Sequence, residues 1–326
     1  MGKRHSALIA LLPACLAGPA TQAPAAESSY PNREIRFIVP FPPGGGNDIV
    51  GRIVAGRLQD ALGKPVLVEN RGGAGGTAGT EIVAKAAADG HTLLINNISL
   101  AINATLFPKL PYDTLKSLRP VSLVGRQPNV LAVAPAIKAT NVGEFLKLAR
   151  SRPDGIIYGS GGPGSSSHLA GARLSLLAGI RMTHVPYQGL AQAMTDLGAG
   201  RVELVVATVS TALPHMNSGK IRALAVTSAH RTPLLPQLPT VIESGVGDYE
   251  VSTWYMVLGP ARTPRVAVAR LNDVLRAIAA NPDVARLFAA QGLDPAHSTP
   301  DQAAALLKSE VGKWGPVVKT TGARPG

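Results

Sequence analysis

The chain alternates short apolar runs with longer segments in which apolar residues recur at helical spacing. Residues 33–39 predict a strand, and residues 48–62 predict a helix with one apolar side that ends at Gly63. The pattern continues with strands at 65–69 and 92–96 and a helix at 80–88. This order of strand, loop and helix predicts an α/β fold with parallel strand pairs and right-handed connections.

The same alternation restarts in the second part of the chain. It predicts strands at 130–134, 156–158, 202–207 and 222–227 and helices at 142–150 and after 164. The tail from residue 266 is helical by its spacing, and Pro282 stands at the start of a second tail helix. Because this tail needs a sheet to pack on, the apolar run 254–258 is predicted to return the chain to the first unit. The second unit is therefore expected to be inserted in the first.

The first residues have the pattern of an export signal. Lys3 and Arg4 precede a short apolar stretch, and a small-residue site follows at 23–25, so cleavage is expected after Ala25. A membrane anchor is the first alternative, but Pro13 interrupts the apolar run too early. A lipoprotein attached at Cys15, the sole cysteine, is the second alternative. Cleavage after Ala25 would leave a mature protein without a thiol or a disulfide.

Composition and charge narrow the set of possible functions. Lys and Arg number 32 against 20 Asp and Glu, a net charge of +12, yet there is no basic run or helix-turn-helix signature. Scattered arginines on solvated faces explain such a surplus, and a mildly positive field that attracts small anions is compatible with it. Aromatic residues make up only 4% of the chain, which disfavours stacking on single-stranded nucleic acid. We therefore expect no nucleic-acid partner.

Two glycine loops precede predicted helices, one in each unit. The first, at 40–48, places glycines before a helix N-terminus, where backbone amides and the helix dipole favour a phosphate or carboxylate. The alternative is a tight turn capped by Asn47 or Asp48. The second, at 159–168, adds hydroxyls, of which Ser165 or Ser166 serves as the N-cap and the others are available to a ligand. Two such loops can face each other across one cleft.

Polar residues also follow the predicted strands. Asn97 and Ser99 follow one strand, and Thr208 follows another. Ligands of open α/β sheets bind beyond the carboxyl ends of strands, although each of these residues taken alone is better explained as a turn residue. Together they outline one cleft.

Motifs of catalysis and cofactor binding are weak or missing. The run 159–164 matches G-x-G-x-x-G, but Pro163 stands where the helix should begin and 175–189 lacks an acidic residue for a ribose. The sequence contains no phosphate-binding G-x-x-x-x-G-K-[ST], no G-x-S-x-G and no H-E-x-x-H. His168 beside three serines suggests a nucleophile, but a hydrogen-bonding role in the loop is the stronger interpretation. We therefore expect no catalytic residue, no cofactor and no metal.

These motifs, taken in order, resemble one family. From about Pro31 to the C-terminus the chain is similar to the Bug-type substrate-binding receptors of tripartite tricarboxylate transporters. The similarity lies in PFPPGGGND (40–48), ENRGGAGGTAGTE (69–81), DGHTLL (89–94), LPYD (110–113), GSGGPGSSSHLAG (159–171), HVPYQG (184–189), DLGAGRVEL (196–204), GKIRALAVTS (219–228), LPTVIESG (238–245) and STWY (252–255).

The resemblance implies a two-lobed periplasmic binding protein of type II, with a mixed sheet and flanking helices in each lobe and a ligand cleft between them. On this reading residues 1–25 are the signal peptide, 31–127 with 255–326 form the first lobe, and 128–254 form the second. The implied ligand is a small carboxylate. The expected ligand contacts are Pro43, Gly44, Gly45, Gly46, Asn47, Asp48, Asn97, Ser99, Ser160, Ser165, Ser166, His168, Tyr187 and Thr208.

Three functions follow as hypotheses. The first is a monomeric, non-enzymatic receptor in the periplasm that captures a di- or tricarboxylate, an acidic amino acid or a related acid and delivers it to a membrane permease of the tripartite tricarboxylate type. The second is a receptor that reports ligand occupancy to a membrane sensor. The third is a secreted hydrolase that uses Ser165, Ser166 or Ser167 with His168.

Overall fold

The computed structural model of the protein describes Gly2 and residues 30–325. Apart from Gly2, the predicted signal peptide lies outside these residues, as do its cleavage site and Cys15. The helices are α1 Gly46–Leu62, α2 Thr77–Ala84, α3 Ser99–Leu106, α4 Val142–Ser151, α5 Ser166–Ala178, α6 Leu190–Gly198, α7 Val209–Asn217, α8 Arg265–Ala279, α9 Pro282–Ala289 and α10 Pro300–Thr321, and a 3-10 turn spans Ala74–Gly76. The strands are β1 Ile35–Val39, β2 Val66–Asn70, β3 Thr92–Asn97, β4 Leu118–Val133, β5 Ile156–Ser160, β6 Met182–Pro186, β7 Leu204–Thr208, β8 Arg222–Val226, β9 Ser252–Pro260 and β10 Asp294–Pro295.

The strands form two arrays that share β4. In the first array the order is β2-β1-β3-β9-β4-β10, with β1 parallel to both β2 and β3. In the second the order is β8-β4-β7-β5-β6, with β5 parallel to β6 and β7. We call the two arrays with their helices the first and second lobes. The predicted parallel pairings are present, and antiparallel pairs along β4 and β9 make the sheet mixed.

Strand β4 is longer than the sequence pattern predicted. The expected strand covered 130–134, whereas β4 begins at Leu118. Its first part pairs with β9 as far as Pro128, and its last part pairs with β7 from Asn129. Prolines and a glycine interrupt the apolar pattern of β4, so the pattern did not predict its first part. Register shifts after Pro120 and Leu123 allow the strand to continue through these residues. One continuous strand therefore connects the lobes.

The ends of several helices follow from local sequence. Gly63 closes α1 in the left-handed conformation, with φ +65°. Pro282 is the first residue of α9 and Asn281 caps it, which confirms the predicted helix start. Strand β9 contains the run 254–258 and pairs with β3, so this run lies in the first array.

The C-terminal helix α10 packs against both lobes. It contacts α3 and β4 and also α5 of the second lobe. The indoles of Trp254 and Trp314, the two tryptophans of the chain, donate to the same oxygen of Glu310 at 3.0 and 3.1 Å. Within the described residues, no helix combines the length and the apolar character needed to cross a bilayer.

Candidate functional site

The two glycine loops meet at a cavity between the lobes. This central cavity has a volume of about 390 Å³ when the space open to solvent at its mouth is included, and residues of both lobes line it. The lining residues are Phe41, Pro42, Gly45, Gly46, Asn47, Asn97, Ser99, Gly161, Ser165, Ser166, Ser167, Leu190 and Thr208. None of these described residues carries a charged side chain, so the cavity offers neutral hydrogen-bonding groups and helix N-termini.

The first loop is held by a buried carboxylate within the first turn of α1. Gly45 is the N-cap, so the alternative in which Asn47 or Asp48 caps the helix is wrong. Asp48 instead lies inside the helix, and its Oδ2 accepts from the amide of Gly44 at 3.0 Å. Its Oδ1 accepts from Asn70 at 2.9 Å, and Arg52 contacts the same oxygen at 3.0 Å. Asp48 thereby fixes the conformation of the loop through its contacts with Gly44 and Asn70.

The charge of Asp48 is stable in this position. Burial opposes its ionisation, but hydrogen bonds from Arg52, the Gly44 amide and Asn70 outweigh burial and lower the pKa of the carboxyl group. A carboxylate with these partners has little capacity left for a ligand. We therefore assign Asp48 to the order of the loop.

We expect the Asp48→Ala variant to bind ligand about tenfold more weakly and to lose about 1–3 kcal/mol of stability. The reason is that the Gly44 amide and Asn70 lose their acceptor. Calorimetric titration and thermal unfolding measure the two effects. Asp60→Ala is the matched control, because Asp60 lies on the same helix and only pairs with Arg57 at 3.5 Å on the surface. An unchanged affinity in Asp48→Ala would contradict the link between this loop and the site.

Asn47 contributes a side chain that is free in the cavity. Only 3% of its surface is exposed, and among the described residues its Oδ1 has no hydrogen-bond partner. Buried amide groups are nearly always satisfied, so the unsatisfied Oδ1, which is an acceptor, indicates a donor such as a water or a ligand hydroxyl at this point. Asn47 also stands in the first turn of α1, next to the positive end of the helix dipole.

The second loop organises its serines into a network around the start of α5. Ser165 is the N-cap and accepts from the amide of His168 at 3.3 Å, which confirms one of the two predicted caps. The amide of Gly161 donates to Ser167 Oγ at 2.9 Å. The amide of Ser166 donates to Ser99 Oγ at 3.0 Å, a direct hydrogen bond between the lobes. The hydroxyl of Ser166 has no partner in the described part of the chain and is available to a ligand.

A stacked pair of imidazoles lies behind this loop. The rings of His168 and His184 are 4.1 Å apart with an interplanar angle of 13°. His168 Nδ1 accepts from the amide of Gly164 at 3.2 Å, and His184 Nε2 is 2.6 Å from Ser160 Oγ. Burial lowers the pKa of His168 to about 3, with a contribution from His184, and lowers the pKa of His184 to about 4.

Both imidazoles are therefore neutral at pH 7 and support the loop. Among residues 30–325, no carboxylate hydrogen-bonds to either ring, so the orienting acid of a serine hydrolase is missing at this pair. In the same range, no group of three His, Cys, Asp or Glu side chains is placed to hold a metal ion.

Two further helix starts complete the walls. Asn97 Oδ1 accepts from the amide of Ser99 at 2.9 Å at the start of α3. Thr208 Oγ1 is 2.9 Å from Thr211 Oγ1 at the start of α7. Gly46 packs so closely against Thr208 and the Tyr255 hydroxyl that a Cβ at this position would overlap the hydroxyl. The backbone itself thus forms the cavity wall at Gly46.

The structure brings most of the sequence-predicted residues together at the cavity. Those that line it are Gly45, Gly46, Asn47, Asn97, Ser99, Ser165, Ser166 and Thr208. Pro43 and Tyr187 line an adjoining chamber. Gly44, Asp48, Ser160 and His168 lie within the two loops and stabilise them.

Five lining residues were not among the predicted contacts: Phe41, Pro42, Gly161, Ser167 and Leu190. The first four belong to the two glycine loops, so the loop pattern itself was the available signal. Leu190 starts α6, and nothing in its local sequence indicates that it faces a ligand.

Comparisons of the sequence and of the structure with known proteins point to the same receptor family. Residues 50–323 match the family described as "Tripartite tricarboxylate transporter family receptor". Protein BugT of Bordetella pertussis is 38% identical over 97% of this chain and 98% of its own length. A structure of Rhodopseudomonas palustris Rpa4515 with adipate superposes with a TM-score of 0.88 at 33% identity, covering 91% of this chain and 100% of the other. MatC of the same organism, with bound malate, gives a TM-score of 0.83 at 31% identity, with coverages of 89% and 100%.

Proposed function

Because the chain belongs to the tripartite tricarboxylate transporter receptor family, we propose that it captures a small organic acid in the periplasm and delivers it to a membrane permease. Members of this family are solute-binding receptors, and the fold is that of a two-lobed periplasmic binding protein. The observation that carries the proposal is a cavity between the lobes that joins the N-termini of α1 and α5 and contains neutral donors but no charged side chain among the described residues.

This arrangement suits a carboxylate. Amides at helix N-termini and neutral side-chain donors bind an anion through charge-assisted hydrogen bonds, and the helix dipoles add a favourable field. The side-chain amide of Asn47 belongs to the first lobe and the hydroxyl of Ser166 to the second. A ligand that contacts both groups therefore connects the two lobes. Two structural neighbours, recorded with adipate and malate, support this ligand class.

We further propose that the lobes divide at the two places where the chain crosses between the arrays. Residues 31–127 with 255–326 would form the first rigid unit and 128–254 the second. The change of partners of β4 between Pro128 and Asn129 supports the first boundary. A ligand that contacts both lobes favours the closed form, and closure is the signal that a permease can recognise.

A calorimetric screen tests the ligand class. The protein is unfolded and refolded to remove bound ligand and is then titrated with dicarboxylates, tricarboxylates, acidic amino acids and neutral isosteres. We expect binding by at least one acid and no binding by its amide. If no acid binds and none raises the melting temperature, the proposal is wrong.

A pair of asparagine variants locates the binding in this cavity. Asn47→Ala should weaken binding of the acid found in the screen by about tenfold, because the side-chain amide, whose Nδ2 donates to a carboxylate, is lost. Asn217→Ala, at the exposed C-terminal end of α7, is the matched control and should bind with unchanged affinity. Equal affinities of the two variants would place the ligand elsewhere.

The choice between a permease and a membrane sensor as partner requires a separate experiment. Uptake of the labelled acid by cells that carry the receptor with a candidate permease should depend on both proteins. Ligand-dependent retention of a membrane sensor, without uptake, would favour the signalling alternative.

A further inference from the structure

The two lobes also touch at a place beside the central cavity. Gly75 of the first lobe packs on the backbone of Pro163 and Gly164 in the second lobe, and none of these three residues lines the central cavity. A Cβ on Gly75 would overlap the Pro163 carbonyl oxygen and lie 3.1 Å from the Cα of Gly164. Backbone therefore meets backbone here, and the lobes can approach this closely only because position 75 has no side chain. We call this the closure contact.

Asn103 of α3 lies between the two sides of the closure contact. Its Nδ2 donates to the Gly75 carbonyl oxygen at 2.8 Å, which fixes the loop of the first lobe. Its Oδ1 faces Gly164 so closely that a Cβ on that glycine would overlap the oxygen. The side chain is buried, and within residues 30–325 its Oδ1 has no hydrogen-bond partner. The fit between Asn103 and the second lobe therefore depends on shape.

The closure contact continues along one face of α3. Ser99 and Asn103 are four residues apart and share this face, and Phe107 follows at the end of the helix after four more. A Cβ on Gly164 would lie 2.9 Å from Phe107 Cε2. At the other end, the Ser99 hydroxyl accepts from the amide of Ser166 at 3.0 Å. One row of side chains in the first lobe thus meets the second glycine loop from Gly164 to Ser166.

We propose that Gly75 and Asn103 are positioning residues for lobe closure, which set how closely the lobes approach and thereby how fast a bound acid is released. This inference rests on the proposed function and adds two residues that lie outside the central cavity. The closure contact forms only when the lobes have approached, so it acts on the closed form and not on the entry of an acid into the open form. A change there should therefore alter the dissociation rate, as most changes at an interface do.

Gly75→Ala tests the proposal, with Gly219→Ala as the matched control. Both glycines have a left-handed backbone, with φ +63° and +67°, so alanine causes similar backbone strain at the two positions. They differ in their surroundings, because a Cβ on Gly219 has no neighbour within 4 Å. We expect Gly75→Ala to release adipate, or malate if adipate does not bind, about tenfold faster in stopped-flow fluorescence, with an unchanged association rate. Gly219→Ala should behave as the wild-type protein.

Asn103→Ala gives the second criterion. The loop that carries Gly75 loses the donor that fixes it, so release of the same acid should be about three- to tenfold faster, again with an unchanged association rate. Thermal unfolding of each variant separates this effect from a loss of stability. A lower melting temperature with an unchanged release rate would show a merely structural role and overturn the proposal. A change confined to the association rate would also overturn it.

The distance between the lobes provides a measurement that needs no ligand. Residues 30–325 contain no cysteine, so spin labels can be attached to cysteines introduced at the exposed Lys85 of the first lobe and Lys147 of the second. Pulsed electron paramagnetic resonance, with and without adipate, should show a smaller closed population in Gly75→Ala than in the wild-type protein and in Gly219→Ala. Identical distance distributions in the three proteins would overturn the inference. Failure of every acid to bind would refute the proposed function, and the distances would still decide whether the closure contact limits the approach of the lobes.

Discussion

The Gly46→Ala variant is expected to bind its ligand about 10- to 100-fold more weakly than the wild-type protein. A Cβ on Gly46 would overlap the Tyr255 hydroxyl and lie 3.0 Å from Thr208 Oγ1 and 3.3 Å from Gln127 Nε2. Tyr255 and Gln127 are buried and hydrogen-bonded to each other, so neither can move cheaply. Because Thr208 belongs to the second lobe, the added methyl group also opposes closure.

The α1 helix itself should tolerate alanine at Gly46. Gly46 is the first residue of α1, where the backbone amide has no intrahelical partner, so alanine there costs the helix little and the loss concerns binding. Gly56→Ala is the matched control: Gly56 lies on the same helix, and a Cβ there has no neighbour within 4 Å. Calorimetry and thermal unfolding should show normal binding and equal or higher stability in Gly56→Ala. Normal affinity in Gly46→Ala would exclude this wall from the site.

Acidification from pH 6.5 to 4.5 is expected to remove about 2–4 kcal/mol of stability through the stacked histidines. An unfolded histidine titrates with a pKa of about 6.5. In the folded protein burial lowers the pKa of His168 to about 3 and that of His184 to about 4. Between these values the unfolded state binds more protons than the folded state, so the free energy of unfolding falls as the pH falls. Urea unfolding at several pH values measures the slope.

A histidine variant separates this effect from the titration of carboxylates. His184→Gln keeps a donor near Ser160 but removes one titrating ring, so its stability should depend less steeply on pH in this range. His230→Gln is the control, because His230 is exposed and lies outside the stacked pair. If the slope is the same in all three proteins, the stacked pair does not remain neutral in the folded state as the structure implies.

The two glycine loops show how much local sequence determines. The glycines of 40–48 and 159–168 predicted turns that expose backbone amides at helix starts, and α1 and α5 begin there. Gly63, Ser165 and Asn281 terminate or cap their helices as their residue types require. These features depend on backbone conformation and on hydrogen bonds within a few residues, so a sequence carries them directly.

Asp48 and β4 show where local reasoning fails. Asp48 accepts a hydrogen bond from Asn70, which lies on the neighbouring strand β2. The sequence around Asp48 does not indicate this partner. Strand β4 extends through Pro120 and Pro128 because its neighbours bury it, against the local tendency of proline.

The sequence by itself determined the alternation of strands and helices, the two amide-presenting loops and the family resemblance. Only the tertiary structure decided which groups face the cavity. It places Ser166 against Ser99, Gly46 against Thr208, and His168 on His184. Each of these contacts joins residues of different helices or strands, and contacts of that kind are set by the packing of the chain. For a site formed between two lobes, the sequence therefore determines which groups are available, and the fold determines how these groups are arranged.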